Sequence, residues 1–243
     1  SMLSSNGISG TNADEAKAMR AEARFLRAQA YYHLLDMYGN DPFVDETTFG
    51  TVPKQINRAD LFNYVESELL ASETDLKAPK TNEYGRLDKA AAWTLLARLY
   101  LNATVYNGSN RNSDVIKYCE KVIAAGYSLN SKYENLFLTD NNVNNPENIF
   151  SVVYDGTNTQ TNGGTTFLVH AAIGGSMNPL ELGVNGGWGG LRTTKAFVNK
   201  FENTDLRGRF YKDGQTLEIN DLGNFNDGYA FIKYKNISSA GAA

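Results

Sequence analysis

The sequence predicts a mainly α fold, with paired helices in the first half and long loops with a few short strands in the second. Three observations carry this. Residues 13–38 place Ala18, Ala21, Phe25, Ala28, Tyr32 and Leu35 at alternating spacings of three and four, which is one apolar stripe along a single long helix. Residues 93–100 read Trp-x-x-Leu-Ala-x-x-Tyr, a spacing that puts its named residues on one helical face. Residues 141–190 hold ten Gly and nine Asn, only three acids and no Lys or Arg, a composition that favours turns over regular elements.

In chain order, the first helix spans 13–38, with Asn12 or Asp14 as its cap and Gly39, Asn40, Asp41 and Pro42 ending it. A second covers roughly 58–77, with Asn57 as cap and Asp60 three residues on, and packs Phe62, Val65, Leu69 and Leu76. A third covers 88–106. A fourth, 113–125, turns Val115, Cys119 and Val122 inward, which would make the cysteine an inert core residue. Trp93, Leu96, Ala97 and Tyr100 fit the first helix of a tetratricopeptide repeat, with Ala97 small enough for a close partner helix. The spacer 105–112 is too long for the plain 34-residue repeat and reads as an inserted loop. Beyond it, Ile149–Tyr154 and Tyr229–Tyr234 read as short strands, and Thr193–Glu202 as a short helix with Phe197 and Phe201 one turn apart. Residues 1–137 are therefore expected to form a helical scaffold. Residues 138–243 are expected to be loop-rich, ligand-binding excursions packed on it as one compact unit, with no linker between them.

Composition narrows the function. The 243 residues carry a formal charge of −4 and are 42% hydrophobic and 21% charged, ordinary for a globular chain. Apolar runs are too short to span a bilayer; the strongest, around Ala90–Leu101, is interrupted by Arg98. One cysteine forbids an internal disulfide and a Cys-based zinc site. No basic stripe marks a nucleic-acid surface. The opening Ser1-Met2 pair reads as an expression scar, with any targeting segment outside the sequence.

Constellations that invite chemistry have plainer readings. Glu22 and Arg27 lie about 140° apart around a helix, so each is expected to tie it to a neighbouring segment. His33 and His170 are the only histidines and lack metal-motif spacing. Glu147, Asp155 and Glu181 are the acids from which a glycosidase pair would have to come, with nothing pairing them. The run Gly183–Gly190 matches neither phosphate-loop pattern. It does present Trp188 among glycines that cannot shield an indole, in an uncharged loop expected to be mobile. An electron-rich ring suits the C–H face of a sugar. Asn185 is placed to bond hydroxyls, and Tyr154, Phe167 and the stretch Thr157–Thr166 are further candidates in the same neutral region. The alternative is that Trp188 folds back on the core. Trp93, on the repeat stripe, is expected to be core.

The run from Glu22 to Pro42, with Arg24, Phe25, Arg27, Ala28, Tyr31, Tyr32, Leu35, Tyr38 and Gly39, closely resembles the signature helix of the SusD/RagB family. Further stretches agree in order: Gly85-Arg86 before Ala90–Leu101, Tyr133 to Phe137 before Glu147–Phe150, Phe201 with Asp205 and Arg207, and Lys233-Tyr234. Together they cover nearly all of 13–236. The resemblance implies a SusD-like α/α superhelix, found in surface lipoproteins of Bacteroidetes that bind nutrients, usually glycans, at the outer membrane. It implies non-catalytic glycan capture, no cofactor, and a SusC-like TonB-dependent transporter as partner, docked on the helical side. The membrane would be reached only through a lipid anchor outside this chain. Family members are about twice as long, so the chain is expected to be a fragment or a short relative, with an N-terminal part and the last repeat helices outside it. Two other functions stand against this: a tetratricopeptide scaffold for peptide tails, and a glycoside hydrolase.

Overall fold

The structure, a computed structural model, describes residues 12–143 and 145–241; the Ser1-Met2 pair lies outside them. The chain divides into two compact units. One runs up to Ser128 and includes Asn148–Val152; the other comprises Leu129–Glu147 and everything from Val153 onward. Residues 129–137 thus belong with the second unit.

The first unit is helical. α1 (Ala13–Met37) starts where the Asn12 side chain accepts the Glu15 N–H at 2.8 Å, replacing one of the bonds a helix start lacks. It ends at Gly39, whose φ of +84° favours glycine and where a Cβ would displace the Arg58 guanidinium. All six residues of the predicted stripe are buried. The short antiparallel pair β1 (Asp41–Phe43) and β2 (Lys54–Ile56) follows, tied to α1 by the Tyr31 hydroxyl, which donates to the Val44 carbonyl and accepts the Val44 N–H. α2 (Arg58–Asp75) is capped by Asn57, whose amide oxygen accepts the Asp60 N–H while its NH₂ donates to the Asp60 carboxylate, a reciprocal cap. α3 (Lys89–Leu101) begins at Asp88, which accepts the Ala90 N–H.

Three expectations for this unit change. The third helix breaks at Asn102 and resumes as the single turn α4 (Ala103–Tyr106), whose buried Tyr106 donates to Asp36 at 2.7 Å. On α5 (Asn112–Ala124) the inward residue is Tyr118, flanked by half-buried Val115 and Val122, while Cys119 is exposed. A stripe through 118 and one through 119 share the same spacing; tyrosine wins because its ring buries more apolar area and meets Tyr100 at 5.7 Å. The predicted strand Ile149–Tyr154 is not formed. Among the described residues no segment pairs with it, and a lone strand leaves its backbone bonds unmade. Its Ile149 and Phe150 instead pack on the helical core, Phe150 edge-on to Phe25 at 6.0 Å.

Charged ties brace the helices as the sequence suggested. Glu22 takes a two-pronged bond from Arg86. Arg24 grips Glu68 with two bonds and Arg27 adds a third, then pairs with Glu46. Burial would raise the Glu68 carboxyl, but the bonds from Arg24 and Arg27 outweigh it and hold it below the usual range. Trp93 is half-buried on this core and donates its indole N–H to Glu73 at 2.7 Å.

The second unit has few regular elements: the helices α6 (Gly164–Ala171) and α7 (Lys195–Val198), two single 3₁₀ turns at Tyr133–Phe137 and Pro179–Leu182, and the antiparallel pair β3 (Phe210–Tyr211) and β4 (Ala230–Phe231). β4 is all that forms of the predicted strand 229–234. α7 is shorter than the predicted helix, yet Phe197 and Phe201 do meet, at 5.2 Å. A small core of Val169, Ile173, Met177, Leu182 and Ala230 holds the unit together.

Candidate functional site

Trp188, Phe167 and Tyr154 lie in the second unit, each about half exposed, at 47%, 43% and 51%. α6 brings Trp188 and Phe167 together and carries Tyr154 against its first residue. Phe167 and His170 sit three residues apart on this helix and so share a face. The Trp188 ring stacks on His170, with centroids 4.9 Å apart and planes 18° from parallel, and tilts against Phe167 at 6.2 Å. The Tyr154 ring lies against Gly164 at the start of the same helix, where a Cβ would be 3.5 Å away. Asn185 is exposed in the Trp188 loop, but among the described residues no hydrogen bond or ring contact joins its side chain to the three rings. Thr157, Asn158 and Thr159 belong to a turn capped by Asp155.

The loop carrying Trp188 is not loose. Its backbone supplies partners for the open end of α6: the N–H of Trp188 donates to the His170 carbonyl, those of Gly190 and Leu191 to Ala171, and that of Gly189 to Ile173, all at 2.7–2.9 Å. The His170 and Ala171 carbonyls are among the last four of α6, which have no partner four residues on within the helix, and Ile173 follows just beyond it. So close an approach demands glycine. At Gly187 a Cβ would lie 2.3 Å from the Ile173 carbonyl oxygen. Asn236 anchors the other end through Leu182 and Gly183. Behind the loop, Phe225 closes on Gly174 and Gly189. Arg192 lies over that ring at 4.5 Å while donating to the carbonyls of Leu222, Asn224 and Asp227. The glycine run read as a mobile loop is a bonded cap on α6, and Trp188 sits between the two predicted extremes, with one face covered and nearly half its surface open.

The sequence reading missed His170. Its place one turn after Phe167 was the available signal, but a histidine is read first for metals. Among the described residues no group of three or more His, Cys, Asp or Glu is arranged to hold a metal ion. His33 is exposed on α1. The acids of the neutral region serve the loops. Glu147 accepts the Asn130 N–H at 2.7 Å. Asp155 is held far below the usual carboxylate range by the Asn158 side chain and the backbone N–H groups of Thr159, Asn158 and Thr157. Glu181 meets Asn178 at 3.4 Å.

The arrangement offers flat rings without charged partners, suited to stacking on neutral, hydroxyl-bearing molecules. Residues 3–101 match a SusD-like family model described as "Starch-binding associating with outer membrane". The starch-binding protein SusD of Bacteroides thetaiotaomicron is 37% identical over 190 residues, 77% of this chain and 34% of that protein. A SusD-like protein of Bacteroides ovatus is 28% identical over 156 residues, 58% of this chain and 27% of that one. The chain thus spans about a third or less of the length of these curated relatives. The crystal structure of a SusD superfamily protein from Parabacteroides distasonis superposes with a TM-score of 0.73 at 23% identity, covering 93% of this chain and 50% of that one.

Proposed function

This chain belongs to the SusD-like family, and on that premise we propose that it binds a glycan without turning it over, on the surface formed by Trp188, Phe167, Tyr154 and the nearby Asn185. The observation that carries this is the half-open Trp188 ring, stacked on His170 and beside the exposed Phe167 ring in a stretch without Lys or Arg. Its starch-binding relative supports a glycan as the ligand. The family description supports a place at the outer membrane. There the whole protein would be surface-exposed through a lipid anchor and would pass its glycan to a SusC-like TonB-dependent transporter. Catalysis is disfavoured because the three acids of the neutral region are each engaged with their own loops: Glu147 with the Asn130 N–H, Asp155 with its turn and Glu181 with Asn178.

The test is affinity electrophoresis and calorimetry against a panel of soluble polysaccharides, amylopectin first, then xylan, β-glucan and mannan. Trp188→Ala is expected to weaken binding at least about thirtyfold, since truncating a stacking anchor typically costs 2 kcal/mol or more. It should lower Tm by only a few degrees, because the ring is half exposed and its main contacts are His170 and Phe167. Failure of the wild-type chain to bind any of the panel, or a large loss of stability with binding intact, would overturn this reading.

A further inference from the structure

His170 holds Trp188 at two levels. Its backbone carbonyl accepts the Trp188 N–H at 2.8 Å. Its ring lies under the indole, nearly parallel at 4.9 Å. The Nδ1 of that ring is 2.7 Å from the carbonyl oxygen of Gly186, two residues before the tryptophan. A carbonyl can only accept, so Nδ1 carries the hydrogen. That bond sets the plane of the imidazole, and the plane of the imidazole sets the plane of the indole. The result is a closed brace: helix carbonyl to loop amide, loop carbonyl to ring, ring to ring. Phe167, which shares the helical face of His170, limits the indole on another side.

We propose that His170 is a positioning residue of the ligand surface. It covers one face of the Trp188 indole and presents the other in a fixed orientation, so that a sugar ring stacks on one side only and meets an indole already ordered. This rests on the reading of Trp188 as a ligand contact given above. Preordering a side chain removes the loss of rotamer freedom that binding would otherwise incur. The role needs no contact between His170 and the ligand.

Three variants of the full chain test it: His170→Ala removes the ring, His170→Phe restores a flat ring without the Nδ1 donor, and Trp188→Ala removes the indole. Two readouts apply to each histidine variant. One is affinity for amylopectin, or for whichever member of the panel the wild type binds. The other needs no ligand: the near-ultraviolet circular dichroism and acrylamide quenching of Trp188, isolated from Trp93 by difference against Trp188→Ala. His170→Ala is expected to weaken binding roughly tenfold, flatten the Trp188 dichroic band and raise its quenching, with Tm within a few degrees of wild type. His170→Phe, which restores a ring without the Nδ1 bond to Gly186, is expected to recover only part of the band and part of the affinity, a graded response that a merely structural contact elsewhere would not predict. If His170→Ala leaves band and affinity unchanged while Trp188→Ala weakens binding, the positioning role falls and the ligand surface stands. If Trp188→Ala binds as wild type, both fall.

Discussion

Gly187 shows how much of the candidate surface depends on single atoms. Its Cα lies so near the Ile173 carbonyl that a Cβ would sit 2.3 Å from the oxygen, and that neighbour is backbone, which cannot swing aside. Gly187→Ala should therefore push the loop off the end of α6, costing about 1–3 kcal/mol by overpacking. At roughly 2–4 °C per kcal/mol for a chain of this size, the loss is readable by calorimetry. Because Trp188 is the next residue, glycan affinity should fall with it. Gly186→Ala is the control: a Cβ there meets nothing within 4 Å, so it should change neither quantity by much. Equal Tm values for the two variants would show that the loop yields where the structure has it locked.

At the scale of elements, the seam between α3 and α5 is where a repeat-like helix pair is made. Trp93 and Tyr100 both meet α5, Trp93 under the Lys121 ammonium at 5.1 Å and Tyr100 beside Tyr118. Ala97 lies between them on the same stripe and is buried. Ala97→Leu should force the helices apart at a cost of about 1–3 kcal/mol and leave glycan binding to the folded protein intact, since its unit does not hold Trp188. A Tm unchanged by this substitution would contradict the close approach. The same seam shows the limit of reading α5 by periodicity. Its inward stripe could run through Tyr118 or Cys119 with nearly equal regularity, and the choice was made by the partner ring on α3.

For the molecule as a whole, the expected behaviour is that of a binder without metal or turnover. EDTA treatment should leave Tm and amylopectin binding unchanged, because among the described residues no acid and histidine cluster is arranged around an ion. Incubation with the bound glycan should yield no new reducing ends. Turnover that disappears on replacing Glu147, Asp155 or Glu181 would overturn the non-catalytic reading. Among the described residues no helix is long and apolar enough to cross a membrane.

The helical half was legible from residues alone because its signals are local. The α1 stripe, the caps at Asn12 and Asn57, and the stop at Gly39 act within a few residues of chain, and they stand in the structure as the spacing implied. Trp188 could be singled out for a similar reason: glycines on either side cannot bury an indole. Its surroundings were another matter. Whether Ile149 and Phe150 pair in a sheet or pack on helices depends on a partner distant in sequence. Whether a glycine run is loose or bonded depends on which backbone it meets. Here it meets the open carbonyls at the end of α6, and His170 comes to lie under Trp188 because that junction leaves it there. Local propensity chose the helices, while unpaired backbone groups and ring-on-ring packing, which exist only once the chain has folded, decided the surface.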